Sequence, residues 1–89
     1  MTSFYISPKN FATWAHQNAA EPVDCVEGCL LDNAVYACKR GYAFVYEHYR
    51  SAWASDYLVK FIPYREDSGR AWAAWEAFRD ASEAQAEPA

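Results

Sequence analysis

Three cysteines and two histidines are the side chains of this sequence that most readily bind metals. Cys25, Cys29 and Cys38 follow a Cys-x3-Cys-x8-Cys spacing. Three thiolates and one imidazole, from His16 or His48, can complete a tetrahedral zinc site. However, the spacing lacks the tight Cys-x2-Cys knuckle of common zinc sites, which favours buried and inert thiols. We therefore predict that the protein holds no metal and no cofactor.

The same residue types can also support nucleophilic catalysis by a thiolate. No flanking signature places a cysteine at a helix N-terminus or beside a fixed base. The sequence also contains no phosphate-binding loop and no paired-carboxylate motif. It therefore predicts a protein that is not an enzyme, with a small metal-binding or thiol protein as the less favoured alternative.

Carboxylates recur along one face of a predicted C-terminal helix. Glu76, Asp80, Glu83 and Glu87 follow one another at intervals of four, three and four residues, so that neighbouring side chains stack about 5 to 6 Å apart. Such a row of negative charge can bind the Lys and Arg side chains that otherwise hold a phosphate backbone. The simpler interpretation is a solvated outer face on which Arg79 pairs with Glu76 and Glu83.

Aromatic residues are the second candidate binding feature, because 4 Trp, 7 Tyr and 5 Phe are more rings than a core this small readily encloses. Trp and Tyr dominate the energetics of protein interfaces. Trp72 lies beside the acidic face, where packing alone explains a large ring less easily, while Trp53 lies in a connection and Tyr64 ends a predicted strand. We predict that these three rings join Glu76, Asp80 and Glu83 in a protein-binding surface, whereas about half of the rings pack beneath the helices.

The elements that would position these side chains form a small antiparallel sheet. Strand-forming residues separated by turn chemistry are found at Val35 to Cys38, Tyr42 to Tyr49 and Tyr57 to Tyr64. In the second of these strands, even-numbered residues share one face and odd-numbered residues the other. Phe4 to Ile6 has the composition of a further short strand.

A fourth strand of the meander is predicted from Val23 to Leu31, at an edge and bulged at Gly28. Asp32 and Asn33 can form a two-residue hairpin turn, which pairs Leu31 with Ala34 and Cys29 with Tyr36. This register places the three thiols on one face of the sheet.

Two helices flank the predicted sheet. The first runs from Pro8 to about Asn18, since Ser7 offers an N-cap oxygen, and it packs through Phe11 and Trp14. The second begins at Asp67 or Ser68 and runs to about Ala84. Its predicted core face consists of Ala71, Ala74, Trp75, Phe78 and Ala81.

The expected architecture is therefore one α+β domain over residues 1–86, with a frayed tail at 87–89. Its fold is a three- or four-stranded antiparallel meander flanked by an N-terminal and a C-terminal helix. Twelve acidic and eight basic residues give a net charge of −4, which disfavours direct binding to nucleic acid and favours a partner with a basic surface. Because neither a signal peptide nor a membrane span is recognisable, we expect a cytoplasmic protein, monomeric or homodimeric.

In size, charge and layout the whole chain resembles the small inhibitors made by phages and mobile elements, above all the anti-CRISPR proteins. These inhibitors share no motif, so the resemblance transfers no residue roles. It implies non-enzymatic blocking of a CRISPR effector complex in a host bacterial cytoplasm, at a basic nucleic-acid-binding or nuclease-recruitment surface. Glu76, Asp80 and Glu83 would then meet basic side chains of an effector subunit, with Trp72 or Tyr64 as an apolar anchor. The alternative is an adaptor or homodimer that uses a sheet edge or the aromatic face.

Overall fold

The computed structural model describes residues 1–26, 33–51 and 54–86, which form an antiparallel sheet with one helix on each face. The order of the strands across the five-stranded sheet is β1-β5-β4-β3-β2. The elements in chain order are β1 (Thr2–Ile6), α1 (Pro8–Gln17), β2 (Glu21–Cys25), β3 (Ala34–Ala37), β4 (Gly41–Ser51), β5 (Ala54–Pro63) and α2 (Gly69–Ala86).

The α+β class is confirmed, but the predicted meander lacks one strand of the sheet. Strands β2 to β5 follow one another as predicted, and β1 extends the sheet by pairing with β5 from Thr2↔Phe61 to Ile6↔Tyr57. The short strand that the composition of Phe4 to Ile6 indicates is thus confirmed. Its position in the sheet was not predicted, because five residues carry too little pattern to identify their partner strand.

Helix α1 begins and ends as its local signals predict. Pro8 occupies the first turn, and the backbone N–H of Asn10 donates to Oγ of Ser7 at 3.2 Å. At the other end the side-chain amide of Asn18 donates to the carbonyl of Trp14 at 2.8 Å, and Ala19 adopts a positive φ of 52°. These contacts close the helix before the chain turns into β2.

The alternation predicted for β4 and β5 is confirmed, and it divides the core into two layers. Ala43, Val45 and Val59 face α1 and pack in a cluster with Phe11. Phe44 and Ile62 face α2 and pack with the fully buried Trp75. The central strands are therefore apolar on both faces.

The predicted register of β2 is wrong. Ala34 pairs with Cys25 rather than Leu31, and Tyr36 pairs with Pro22 rather than Cys29. This register directs Asp24 toward α2, where it receives hydrogen bonds from the helix. The bulge predicted at Gly28 lies outside the described residues, although the register does shift between Pro22 and Asp24.

Helix α2 begins where it was predicted, since Oδ1 of Asp67 accepts a hydrogen bond from the N–H of Gly69 at 2.9 Å. Its core face is rotated from the predicted one, because Ala74 and Ala81 are exposed whereas Trp72 is half-buried. The large ring gains more from burial than a methyl group does, so it draws the helix toward its own side. Within the described part of the chain, no helix is long and apolar enough to cross a membrane.

Gly41 is expected to tolerate no larger residue. A Cβ at this position would lie 2.8 Å from the carbonyl carbon of Ile62 and from Cα of Pro63, and both belong to the paired backbone of β5. We expect Gly41→Ala to lower the free energy of unfolding by about 1–3 kcal/mol, measured by urea denaturation.

The matched control for this substitution is Gly69→Ala. A Cβ there meets only the flexible side chain of Asp67, at 3.2 Å. Its free energy of unfolding should stay within about 1 kcal/mol of that of the unmodified protein, since alanine also favours a helix. Equal effects at the two positions would mean that the close backbone approach at Gly41 does not limit stability.

Candidate protein-binding surface

The carboxylate of Asp24 joins the edge strand β2 to helix α2. Its Oδ2 accepts a hydrogen bond from Nε1 of Trp75 at 2.8 Å and another from Nη1 of Arg79 at 2.6 Å. Its Oδ1 accepts from the backbone N–H of Cys25 at 3.0 Å. Burial favours the neutral acid, but the hydrogen bonds from Trp75, Arg79 and Cys25 and the positive charge of Arg79 together outweigh it, so the pKa of Asp24 lies below its ordinary value. No local pattern of the sequence indicates this link, because Trp75 and Arg79 lie 51 and 55 positions from Asp24 along the chain.

Arg79 makes different ion pairs from those predicted. It was expected to pair with Glu76 and Glu83 along the helix, but it reaches across to Asp24 on β2 and also contacts Asp80, with Nη2 at 3.0 Å from Oδ1. The bond with Asp24 is the main reason why the pKa of Arg79 is raised. The guanidinium is thus held against the sheet, and the helical carboxylates remain on the outer side.

The predicted acidic residues lie on the side of α2 that adjoins β2. Glu76 and Asp80 are exposed, and Glu83 is half-buried. At 100° per residue, these three residues and Trp72 fall within about 80° of the helix circumference. Among the described residues, four carboxylates, including that of Asp24, therefore share this side with the guanidinium of Arg79.

Trp72 and Tyr64, two of the predicted aromatic residues, both pack against the ring of Tyr42. The ring of Tyr42 makes edge-to-face contacts with Trp72 at 5.4 Å and with Tyr64 at 5.0 Å between ring centroids. The ring centroid of Trp72 also lies 5.2 Å from that of Phe44. Trp72 is therefore more involved in packing than its predicted position beside the acidic face suggested. Tyr64 remains 50% exposed while its hydroxyl donates to the carbonyl of Cys38 at 2.6 Å. Trp53 lies outside the described residues.

Tyr64, Trp72, Glu76, Asp80 and Glu83 form a continuous surface, which we name the α2 strip. Its aromatic end adjoins the start of the helix, and its acidic end follows the later turns. Both ends are fixed to the sheet, the first through Tyr42 and the second through the Asp24–Arg79 ion pair. A rigid surface of this composition is suited to binding a basic protein, because little conformational entropy is lost on association.

A groove with a volume of about 410 Å³ lies on the other side of α2. Its floor includes Phe44, Tyr46 and Ile62, and its helical wall includes Ala71 and Ala74. The groove was not predicted, because the sequence was taken to bury both alanines against the sheet. Charges of both signs border it, including Lys60, Glu66 and Arg70, so its electrostatics favour no single class of ligand.

Cys25 and Cys38 lie on the same face of the sheet, because Cys25 pairs with Ala34, which packs in the cluster that contains Cys38. The expectation that the cysteines are buried is wrong for Cys25. Cys25 is exposed, whereas Cys38 is buried and burial raises the pKa of its thiol to about 11. Cys29 lies outside the described residues. Elsewhere in the chain, no three His, Cys, Asp or Glu side chains of the described residues are grouped to hold a metal ion.

Comparisons with protein families, with curated proteins and with solved structures find no match to this chain. No residue can therefore take its role from a relative. What the protein does has to be inferred from the chemistry of its own surface, and the α2 strip is a part of the described surface where charge of one sign and aromatic area coincide.

The Asp24 link predicts a pH-dependent contribution to stability. Because its folded pKa is lowered, the stabilisation is present above the unfolded value of about 3.9 and is lost as the pH falls through the folded pKa. We expect Asp24→Asn to lower the free energy of unfolding by about 1–2 kcal/mol at pH 7, measured by urea denaturation. The difference from the unmodified protein should shrink as the pH falls below about 4.

The matched control for Asp24 is Asp80→Asn, which removes a carboxylate that is 68% exposed and bonded to the same guanidinium. It should change stability by less than about 0.5 kcal/mol, as is typical of exposed ion pairs. If both substitutions cost the same, or if the effect at Asp24 does not depend on pH, the link between β2 and α2 is not electrostatic.

The two described thiols should differ in reactivity. At pH 8 we expect iodoacetamide to alkylate Cys25 at least about a hundredfold faster than Cys38, because Cys38 is buried and little ionised. Peptide mass spectrometry of samples quenched over time measures both rates. In about 6 M guanidinium chloride the two rates should converge, since unfolding removes the burial. Equal rates in the folded protein would contradict the buried position of Cys38.

Proposed function

We propose that this protein is a non-enzymatic inhibitor that binds a basic surface of another protein through the α2 strip. The observation that supports this most directly is the concentration of carboxylates on one side of a helix that is fixed to the sheet by Asp24 and Arg79. Exposed Glu76 and Asp80 can meet Lys or Arg side chains without moving the helix. This geometry therefore favours binding to the surface of another protein over catalysis in a pocket.

The target that this surface fits is one that ordinarily holds nucleic acid. Carboxylates at successive helical turns present repeated negative charges to the basic side chains that would contact a phosphate backbone. Occupation of such a channel excludes the nucleic acid by competition, with no catalytic step. The net charge of −4 accelerates encounter with a basic partner.

The aromatic end of the strip supplies the contacts that prolong binding. Tyr64 is half exposed and its hydroxyl is already hydrogen-bonded, so its ring can be covered without loss of a polar contact. Trp72 is held by edge-to-face contacts and loses little freedom when a partner covers its remaining surface. Electrostatic attraction thus governs the association rate, and the rings govern the dissociation rate.

Together with the resemblance in size, charge and layout, these properties lead us to propose an anti-CRISPR-like inhibitor. Its partner would be a CRISPR effector subunit, blocked at a basic nucleic-acid-binding or nuclease-recruitment surface in a bacterial cytoplasm. The proposed partner-binding residues are those of the α2 strip, and no metal or cofactor takes part.

The test is recovery of effector subunits from bacterial lysates that express CRISPR effector complexes, with the tagged protein as bait and mass spectrometry of the eluates. We expect an effector subunit to be retained at low salt and released at high salt. The triple variant Glu76→Gln, Asp80→Asn, Glu83→Gln should bind it at least roughly tenfold more weakly, because the attraction to basic groups is lost.

A control with the same change in net charge lies on the opposite face of the sheet. Ala12→Lys, Thr13→Lys and Gln17→Lys add three positive charges to exposed positions of α1. This variant should retain the effector subunit as the unmodified protein does. Equal binding by all three proteins, each shown to be folded by circular dichroism, removes the acidic residues from the mechanism. Recovery of no effector subunit at low salt contradicts the inhibitor proposal.

A further inference from the structure

The two edges of the described sheet differ in how open they are to another strand. Edge strand β2 contains Pro22, has an irregular register between Pro22 and Asp24, and carries two acidic residues, Glu21 and Asp24. Proline, bulges and charge are the features by which proteins prevent strand addition at an edge. Strand β2 is therefore protected.

Strand β1 has none of these protective features. Its five residues pair with β5 without a register shift, and Thr2–Ile6 contains no proline and no Asp, Glu, Lys or Arg. The preceding N-terminal ammonium is bonded to a carboxylate oxygen of Glu66 at 3.1 Å. Alternate backbone N–H and C=O groups of an edge strand point away from the sheet and can pair with another strand.

We propose that β1 pairs antiparallel with β1 of a second copy of this chain, about a two-fold axis at Phe4. The sequence of the strand fits itself in this register. Ser3 lies opposite the partner's Tyr5, and Thr2 lies opposite the partner's Ile6. Each large side chain thus meets a small hydroxyl residue, Phe4 meets its own copy, and no like charges face each other.

This pairing covers the apolar surface that β1 leaves exposed. Tyr5 is 60% exposed, and its ring lies 5.0 Å from that of His48. On the other face Phe4 packs against Trp14 at 5.7 Å but remains half-buried, as does Ile6. A second β1 beside the first would cover these three side chains and satisfy the outward backbone groups at the same time.

The dimer leaves the acidic end of each α2 strip available, because that end adjoins β2 at the opposite edge of the sheet. Two strips in one particle can bind a repetitive basic partner more tightly than either strip alone. The dimer itself does not depend on the proposed inhibitor function, and its test needs no partner protein.

The test uses pairs of substitutions at Ser3 and Tyr5, both of which are exposed. Sedimentation equilibrium should give twice the mass of one chain for the unmodified protein. Ser3→Lys with Tyr5→Lys places like charges opposite each other at two symmetric positions, and should raise the dissociation constant roughly tenfold or more. Ser3→Lys with Tyr5→Glu places opposite charges there and should restore the dimer.

The matched control is Val23→Lys, which puts a lysine at an exposed apolar position of the other edge and should leave the dimer unchanged. Circular dichroism checks that each variant is folded. For the unmodified protein, hydrogen exchange of alternate β1 amides should slow with increasing concentration, a readout that needs no substitution.

Three results would overturn the proposal. The first is a monomeric mass of the unmodified protein up to about 1 mM, which excludes a significant affinity. The second is a dimer that persists unchanged in the folded variant with two lysines. The third is a folded Lys–Glu variant that remains monomeric, which would show that Ser3 does not lie opposite the partner's Tyr5.

Discussion

The placement of helix α2 depends on one carboxylate that strand β2 presents to it. Asp24 holds Trp75 and Arg79 through the same oxygen, at 2.8 and 2.6 Å, so that one turn of the helix is tied to the edge of the sheet at two points. A shift of β2 by one residue would turn Asp24 to the α1 face of the sheet. Trp75 and Arg79 would then lose the carboxylate that accepts their hydrogen bonds. The register of the edge strand and the rotation of the helix are therefore determined together. The acidic side of α2 adjoins β2 for the same reason.

Helices on both faces impose a second constraint, on the sheet itself. Where both helices cover them, the central strands have no solvated side, and Ala43, Phe44 and Val45 are consecutive residues without solvent exposure. Lys60, in the middle of β5, borders the groove beside α2, and most other polar side chains lie at the ends of the strands, at the edges and on the helices. This distribution explains why a small chain rich in aromatic residues still displays rings at its surface. Tyr5 lies on the edge strand β1, and Tyr64 lies before the start of α2, so both rings remain exposed.

The features that could be predicted from sequence depend on residues close together in the chain. The features that could not be predicted depend on contacts between residues far apart in the chain. The cap at Ser7 and the alternation along β4 depend on neighbouring residues, so both were predicted correctly. The register of β2 depends on Asp24 meeting residues 51 and 55 positions away, and no local pattern reveals it. For the same reason, the helical spacing suggested that Arg79 pairs with Glu76 and Glu83, and the contact with Asp24 was missed. Glu76, Asp80 and Glu83 were correctly placed on one helix face, and Glu87 lies outside the described residues. Their partner remains a proposal, because the target of a binding surface is not encoded in the fold.

The charged residues within α2 run against the helix dipole, although the carboxylate of Asp67, just before the helix, caps its first turn. Negative groups stabilise the N-terminus of a helix and positive groups its C-terminus, each by about 0.3–1 kcal/mol. Helix α2 has no acidic residue in its first turn and no basic residue in its last, while Arg70 lies near the start and Glu83 near the end. The reversed order weakens the isolated domain slightly, and a basic partner bound along the later turns would offset that cost. This charge order is therefore one more property that the proposed binding of a basic partner would explain.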